Sequence, residues 1–491
     1  MQSDLCELSP VRICPSRTAP ASFHLKLVLL MRRVPRRPLG KGPLGALKPS
    51  AVTVRLLRPI IQKRSQKDMS NFPDATANGN HGGAKAAHRR LVFINRFFYP
   101  DPSATSQILS DLVFALAAQN FGIQVIAGRQ QRGGTKAVLA ATENIHGVTV
   151  NRITMPNLAW LGLIGRAIEY AAFYVGAVAA LRRHVGGGDI VIAKTDPPLI
   201  AALASVVCQK RGAKLVNWLQ DIYPEVAIRL NVPLVQGPIG AVFEKLSSAA
   251  LRDAAVNVAI GERMAELVGV RGVAHEKVRI IPNWADDEAI MPIPAVQNPL
   301  RIRLRLEHAF IIGYSGNLGR AHEFETLLGA AGLLRREKDV VFLFIGGGFY
   351  VDALQERVRA QGLDDLFKFL PSQPRSELSS SLSLPDVHWL SLRPELEGLI
   401  VPSKFYGIAA AGRPVISITA KDGEISRIVE SSDCGIVVEP GQSDELACSI
   451  LRLRGDRRLC DEMGKNARAL IDMRFSRKRA LEAWSRLLAD L

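Results

Sequence analysis

Short apolar runs recur along the chain, each ending in a loop of Gly, Pro or small polar residues and each followed by a helical pattern. In the first half they are Leu91-Val92-Phe93-Ile94-Asn95, the segments 122–127 and 147–150, Asp189-Ile190-Val191-Ile192-Ala193 and Lys214-Leu215-Val216-Asn217-Trp218. The pattern restarts with Phe310-Ile311-Ile312-Gly313-Tyr314-Ser315-Gly316, the segment 340–345, Asp386-Val387-His388-Trp389-Leu390 and Pro414-Val415-Ile416-Ser417. Runs without polar alternation, separated by helices, predict strands buried on both faces of a parallel, doubly wound sheet. The fold class is therefore α/β, with two such domains over 89–285 and 301–473. Residues 286–300, rich in Pro, read as the linker. Residues 474–491 read as an amphipathic helix that crosses back to the first domain.

Residues 1–88 lack this texture. The first 68 carry 14 Lys and Arg against three acids, a net +11, so the other 423 residues hold only +6 of the chain's +17. That removes the main argument for a nucleic-acid partner, because a body with so mild an excess needs no polyanion. The expectation for 1–88 is an unpacked basic extension, with Met69 as an alternative start. A targeting arm or a lipid-touching arm is the rival reading. The six Cys lie far apart with no C-x-x-C pair, which argues against zinc-ribbon and thioredoxin chemistry and for a reducing compartment.

Residues 160–181 are apolar over nearly the length of a bilayer span. Arg166 and Glu169 interrupt them, and each charge is costly at the bilayer centre. The first reading is a helix of the first domain. The alternative is an interfacial helix whose Arg166, Arg182 and Arg183 meet lipid head groups.

Parallel sheets bind ligands beyond the carboxyl ends of their strands. No dinucleotide fingerprint, Walker loop or H-E-x-x-H occurs. Glycine loops follow two second-half strands, at Gly316-Asn317-Leu318-Gly319-Arg320 and Gly346-Gly347-Gly348, and such loops let backbone N–H groups approach phosphate. In the densest patch, Arg393 to Ile416, a Gly loop bearing Glu397 meets Ser403 and Lys404. Lys404 offers a point charge to a diphosphate and Glu397 an acceptor for sugar hydroxyls; the plain alternative is a Ser403 helix cap beside a solvated Lys.

The order Pro394-x-x-Glu397-Gly398, Pro402-Ser403-Lys404, Ala410-Ala411-Gly412-x-Pro414-Val415-Ile416 follows a G-Y-S-G-N-L-G run (313–319) and F-I-G-G-G (344–348). It resembles the donor domain of family 4 glycosyltransferases with the GT-B fold, two Rossmann-like domains facing a cleft. The segments 95–101, 103–107, 195–198, 220–225 and 281–284 extend the resemblance to the bacterial branch that assembles O-antigen, colanic acid and other exopolysaccharides, including fucosyl- and N-acetylfucosaminyl-type transferases. The resemblance implies a retaining transferase without a metal or other cofactor. A nucleotide-sugar, UDP-sugar favoured, would bind the second domain, and a lipid-linked or saccharide acceptor the first. The implied location is cytoplasmic, peripheral at the inner face of the bacterial membrane.

The same resemblance nominates Glu397 and Asp221 as catalytic, and Gly316, Asn317, Arg320, Gly346, Gly347, Ser403 and Lys404 as donor-binding. Ser103 and Thr105 fall in the cleft loop, and Tyr223 and Glu225 on the acceptor side. The chain departs from the family pattern in two places. Gly407 stands where a second Glu is usual, leaving Ser403 or Glu424 for the ribose. Asn317 and His322 stand where Arg and Lys are usual, with Arg320 nearby as a substitute cation. The missing Glu keeps open an inactive GT-B binding module, and a UDP-sugar 2-epimerase-type enzyme is a further alternative.

Overall fold

A computed structural model describes residues 90–130 and 139–491. The expectations for residues 1–88 lie outside the described residues. The described chain forms two sheets, each flanked by helices.

The first sheet has eight strands in the order β3-β4-β2-β1-β5-β6-β7-β8. They are β1 (Leu91–Ile94), β2 (Ile123–Gly128), β3 (Thr142–Ile145), β4 (Val148–Ile153), β5 (Ile190–Lys194), β6 (Lys214–Trp218), β7 (Val256–Ala259) and β8 (Val278–Ile280). All pairings are parallel except β3 with β4 at the edge. The second sheet is parallel throughout, in the order β11-β10-β9-β12-β13-β14. Its strands are β9 (Phe310–Asn317), β10 (Val340–Gly347), β11 (Phe367–Leu370), β12 (Val387–Ser391), β13 (Val415–Ile418) and β14 (Gly435–Val438). The interior strands bury every residue of their apolar runs, which is why those runs lack alternation.

Each sheet reverses its winding once. From β1 the chain builds outward to β2 and β4, then returns to β5 on the other side; from β9 it builds to β10 and β11, then returns to β12. These switch points leave a crevice where loops diverge. The two crevices face each other across the cleft described below.

The helix Gly162–His184 belongs to the first domain. Phe173, Ala177 and Leu181 are fully buried against the sheet. The buried Glu169 carboxylate pairs with Arg96 at 2.9 Å and accepts the Leu158 N–H at 3.1 Å. A charge so anchored on the inner face fits a domain helix and not a membrane span.

The last helix, Arg477–Asp490, lies on the first sheet although it follows the second in sequence. Trp484 is fully buried with its ring 4.8 Å from that of Trp218, and Arg477 pairs with Asp111 of the helix Ala104–Ala118. The domains share a second seam near the cleft. Ile222 N–H donates to Leu399 C=O at 3.0 Å, and Leu219, Ile222 and Val226 join Leu396, Leu399 and Val401 in one apolar cluster. Gly398 is required there: its φ is +73°, and a Cβ would lie 2.7 Å from Leu267 of the opposite domain.

Candidate functional site

A cavity of about 600 Å³ lies between the domains, within the range of small-molecule sites. Its walls come from the strand ends at both switch points. From the first domain it takes the loops after β5 (Thr195, Asp196, Pro198) and β6 (Gln220, Asp221, Tyr223), with Thr105 and Tyr170. From the second it takes the loops after β9 (Ala321, His322) and β12 (Ile400 to Lys404), with Ser315 and Gly407.

One hydroxyl ties the first-domain loops together. Thr195 Oγ1 accepts the Gln220 N–H at 2.8 Å and donates to Trp218 C=O at 3.4 Å. This sets the carboxylates of Asp196 and Asp221 near each other. Beneath them Lys194 is 1% exposed, donates to Thr105 C=O at 2.8 Å and lies over the Trp218 ring at 4.3 Å. Burial pushes the Lys194 ammonium well down, opposed by Asp196 and Asp221. Burial likewise pushes Asp221 up to about 6; Asp196 adds to the rise and Lys194 opposes it. Asp221 is thus a carboxylate at neutral pH, but a less hydrated and more basic one than usual.

The second-domain wall is cationic. Lys404 Nζ donates to His322 Nε2 at 3.0 Å, and His322 Nδ1 lies 2.6 Å from Ser391 C=O. A carbonyl only accepts, so the proton sits on Nδ1 and Nε2 takes the Lys404 hydrogen bond. Burial, with Lys404 as second cause, pulls His322 down to about 3, so the imidazole is neutral. Burial alone lowers Lys404 to about 8. The result is an ammonium held by a neutral imidazole and lying 5.2 Å from the Tyr314 ring centre, with no carboxylate paired to it among the described residues. Ser315 Oγ, also at this wall, is buried and has no hydrogen-bond partner among the described residues.

The glycine loops fit together behind Lys404. Gly316 has φ +122°, and a Cβ there would meet Lys404 Cε at 3.0 Å; Gly346 has φ +143°, and its Cβ would lie 2.1 Å from Gly316 O. Side chains are excluded at both positions, so the two strand ends approach closely and leave the Lys404 stem its path.

The structure separates the nominated residues into two groups. Asp221, Ser403, Lys404, Thr105, Tyr223 and His322 line the cavity. Gly316, Asn317, Gly346 and Gly347 end β9 and β10 just outside the lining. Arg320 is exposed and stacks on the Phe349 ring at 4.4 Å, away from the lining. Ser103 caps no N–H; its hydroxyl and N–H both go to Asp101. Glu225 pairs with Arg271.

Glu397 is not brought to the cavity lining. Its carboxylate lies against Gly423 and accepts the Glu424 N–H at 3.4 Å. Burial raises it to about 7, with the Glu424 N–H opposing. Glu424 is not free for a ribose either: its carboxylate crosses to the first domain and accepts the Arg263 N–H at 2.9 Å, at the start of the helix Glu262–Val270. Both carboxylates belong to the domain seam.

Sequence reasoning gave no role to Lys194, Thr195 or Asp196, although they adjoin a strand end. A Lys closing an apolar run before an Asp-Pro pair was the available signal. Nor did it foresee the His322–Lys404 pair, which forms across 82 residues.

Residues 299–470 match the family model described as glycosyl transferases group 1. The probable glycosyltransferase WbjE of Pseudomonas aeruginosa is 28% identical over 263 residues, 53% of this chain and 64% of that protein. The putative colanic acid biosynthesis glycosyl transferase WcaI of Escherichia coli is 28% identical over 246 residues, 49% of this chain and 60% of that protein. The chain thus spans less than two thirds of the length of the curated relatives it matches. Among solved structures, Anabaena HepE, crystallised with UDP, has a TM-score of 0.63 at 18% identity, over 82% of this chain and all of that one. WaaG, a glycosyltransferase involved in lipopolysaccharide biosynthesis, has a TM-score of 0.59 at 13% identity, over 80% of this chain and 99% of that one. At such identities the likeness speaks to the fold, and the two-domain arrangement is GT-B.

Proposed function

We propose that this chain is a retaining glycosyltransferase of surface-polysaccharide assembly, taking a sugar from a nucleotide-sugar, UDP-sugar favoured, to a lipid-linked or saccharide acceptor. The observation that carries the reading is an uncompensated ammonium, Lys404, facing two neighbouring carboxylates, Asp196 and Asp221, across one interdomain cavity. The match to glycosyl transferases group 1 and the UDP complex of HepE support the donor class.

The hard step in such a transfer is departure of a nucleoside diphosphate, whose charge grows as the bond to the anomeric carbon breaks. A fixed cation in a dry site stabilises that charge without reorganising. Lys404 supplies the cation, while Ser315 and the backbone after β9 supply donors. The acceptor hydroxyl enters from the first-domain side, oriented by Asp221. Its oxygen bonds the anomeric carbon on the face the phosphate leaves, and its proton passes to the leaving phosphate oxygen. The proposed step is metal-independent: it uses Lys404 and the neighbouring donors and routes no charge through a metal ion. The proposed working location is the cytoplasmic face of a membrane, where a lipid-linked acceptor would lie.

Gly407 favours one rival. It lines the cavity where the family usually has a carboxylate, as expected of a module that binds a nucleotide-sugar without turning it over. The test is incubation with radiolabelled UDP-, GDP- and dTDP-sugars plus a membrane lipid extract, with and without chelator. Transfer from one donor class, undiminished by chelator, is expected. Donor binding without transfer to any lipid or saccharide acceptor would establish the rival.

A further inference from the structure

The first domain has an outer surface that the reaction does not use. Three helices lie side by side there: Gly162–His184, Ile200–Arg211 and Pro238–Asp253, the second packed between the others. On the first, Ile164, Ile168, Ala171 and Val175 follow one another at helical spacing along the exposed face, continuing from Trp160 in the preceding turn. On the third, Ile239, Val242 and Leu246 do the same. Val206 on the middle helix is exposed as well. These large side chains are 43–79% exposed, and together they make an apolar surface of the extended kind that monomeric proteins rarely leave in water.

The charge around this surface is one-sided. The three helices carry seven Lys and Arg against three acids, and one of the acids, Glu169, is buried on Arg96. A second, Asp253, is occupied by Ser205 and Gln209. Arg166, Arg182, Arg183, Lys210, Arg211 and Lys245 are all exposed. An apolar face rimmed by cations matches an anionic membrane surface, which offers acyl chains below and phosphates above. The same helix that bears the longest stripe sends Tyr170 into the cavity, so the surface adjoins the acceptor side of the site.

We infer that this three-helix face docks on an anionic lipid bilayer, with the apolar stripes in the head-group region and the arginines on lipid phosphates. The inference rests on the membrane location proposed above and names the surface responsible.

The experiment is co-sedimentation of the full chain with vesicles of phosphatidylcholine, with and without 30% phosphatidylglycerol. Binding that grows with the anionic lipid and weakens with salt is expected. The triple variant Ile164→Ser/Ile168→Ser/Val175→Ser should lose at least tenfold in partitioning. Arg182→Gln/Arg183→Gln should lose roughly fivefold per arginine. Val296→Ser, an exposed apolar residue outside these helices, should bind as the unaltered chain does. Thermal unfolding, with and without UDP, confirms that each variant keeps its fold and cleft. Wild-type binding by the face variants would overturn the inference and leave the membrane location standing on another surface. Absence of binding to any vesicle by the unaltered chain would overturn both, while leaving transfer to a soluble acceptor intact. A dimer in solution that the same substitutions dissociate would assign the face to a second copy instead.

Discussion

Replacing Lys404 with Met should stabilise the protein and destroy the proposed donor site. The ammonium is held down from 10.5 to about 8 by burial, a bias of about 3 kcal/mol against the charged form. The sign follows from proton counts. Between pH 8 and 10.5 the unfolded chain binds the proton and the folded chain releases it, so stability rises with pH across that window; below pH 8 the full penalty is present. Met removes the penalty and keeps the stem that Gly316 accommodates. It also gives up the hydrogen bond to His322 Nε2, worth about 1 kcal/mol. At pH 7 the net gain is about 2 kcal/mol, or on the order of 5 °C in the melting transition of a domain this size. Donor affinity should move the other way, because a charge-assisted contact to phosphate contributes about 1.5–3 kcal/mol, roughly tenfold to a hundredfold. The assay is thermal unfolding of both proteins at pH 7 and pH 10, with and without UDP-sugar. The wild type should gain on the variant as pH rises, and only the wild type should respond to ligand. A variant that melts lower at pH 7, or that keeps the ligand response, would refute the picture of an uncompensated cation at the donor site.

Two other substitutions separate the two carboxylates that the sequence nominated. Asp221→Asn should leave donor binding unchanged and lower kcat by about two orders of magnitude, and in the unaltered enzyme activity should climb as pH rises through about 6, where Asp221 ionises; a pH profile flat across that value would remove Asp221 from the chemistry. Glu397→Gln should retain transfer. Because the folded carboxyl is raised from 4.5 to about 7, wild-type stability should fall as pH rises between those values, and the variant should lack that slope in urea titrations from pH 5 to 8.

Strands were legible where their physics is local. Lys214–Trp218 was read to its ends, and 91–95, 189–193 and 310–316 to within a residue or two, because strands buried on both faces leave uninterrupted apolar runs. Five strands escaped, Phe367–Leu370 and Gly435–Val438 among them, and three of the five did so for identifiable reasons. Thr142–Ile145 is an antiparallel edge with polar, half-exposed residues. Val256–Ala259 carries Asn257, whose side chain is satisfied only by Asn217 and Leu251 C=O once the sheet has formed. Val278–Ile280 is mostly exposed and sits at the opposite edge. The site was legible at the same level. Motif spacing found Lys404 and Asp221, which sit on strand-end loops of their own domains. It missed what depends on contact between distant segments: the neutral His322 under Lys404, and the seam that takes Glu397 and Glu424 from the cavity.

That seam bears on how the missing carboxylate at position 407 is compensated. Glu397 and Glu424 are both spent on backbone N–H groups near where the domains meet. Glu424 fixes the start of a first-domain helix, and Asp422 beside it pairs with Arg263 at 2.8 Å. Two second-domain acids, Glu424 and Asp422, thus tie that domain to the first, and Glu397 braces the Glu424 backbone behind them. A transferase needs its two half-sites in register more than it needs any one ribose contact, since small misplacement of reacting atoms costs rate steeply. In this chain the acids serve registration, and on the proposed function the nucleoside would be left to polar groups such as Ser315 and Ser403, which carry no charge to repel a diphosphate.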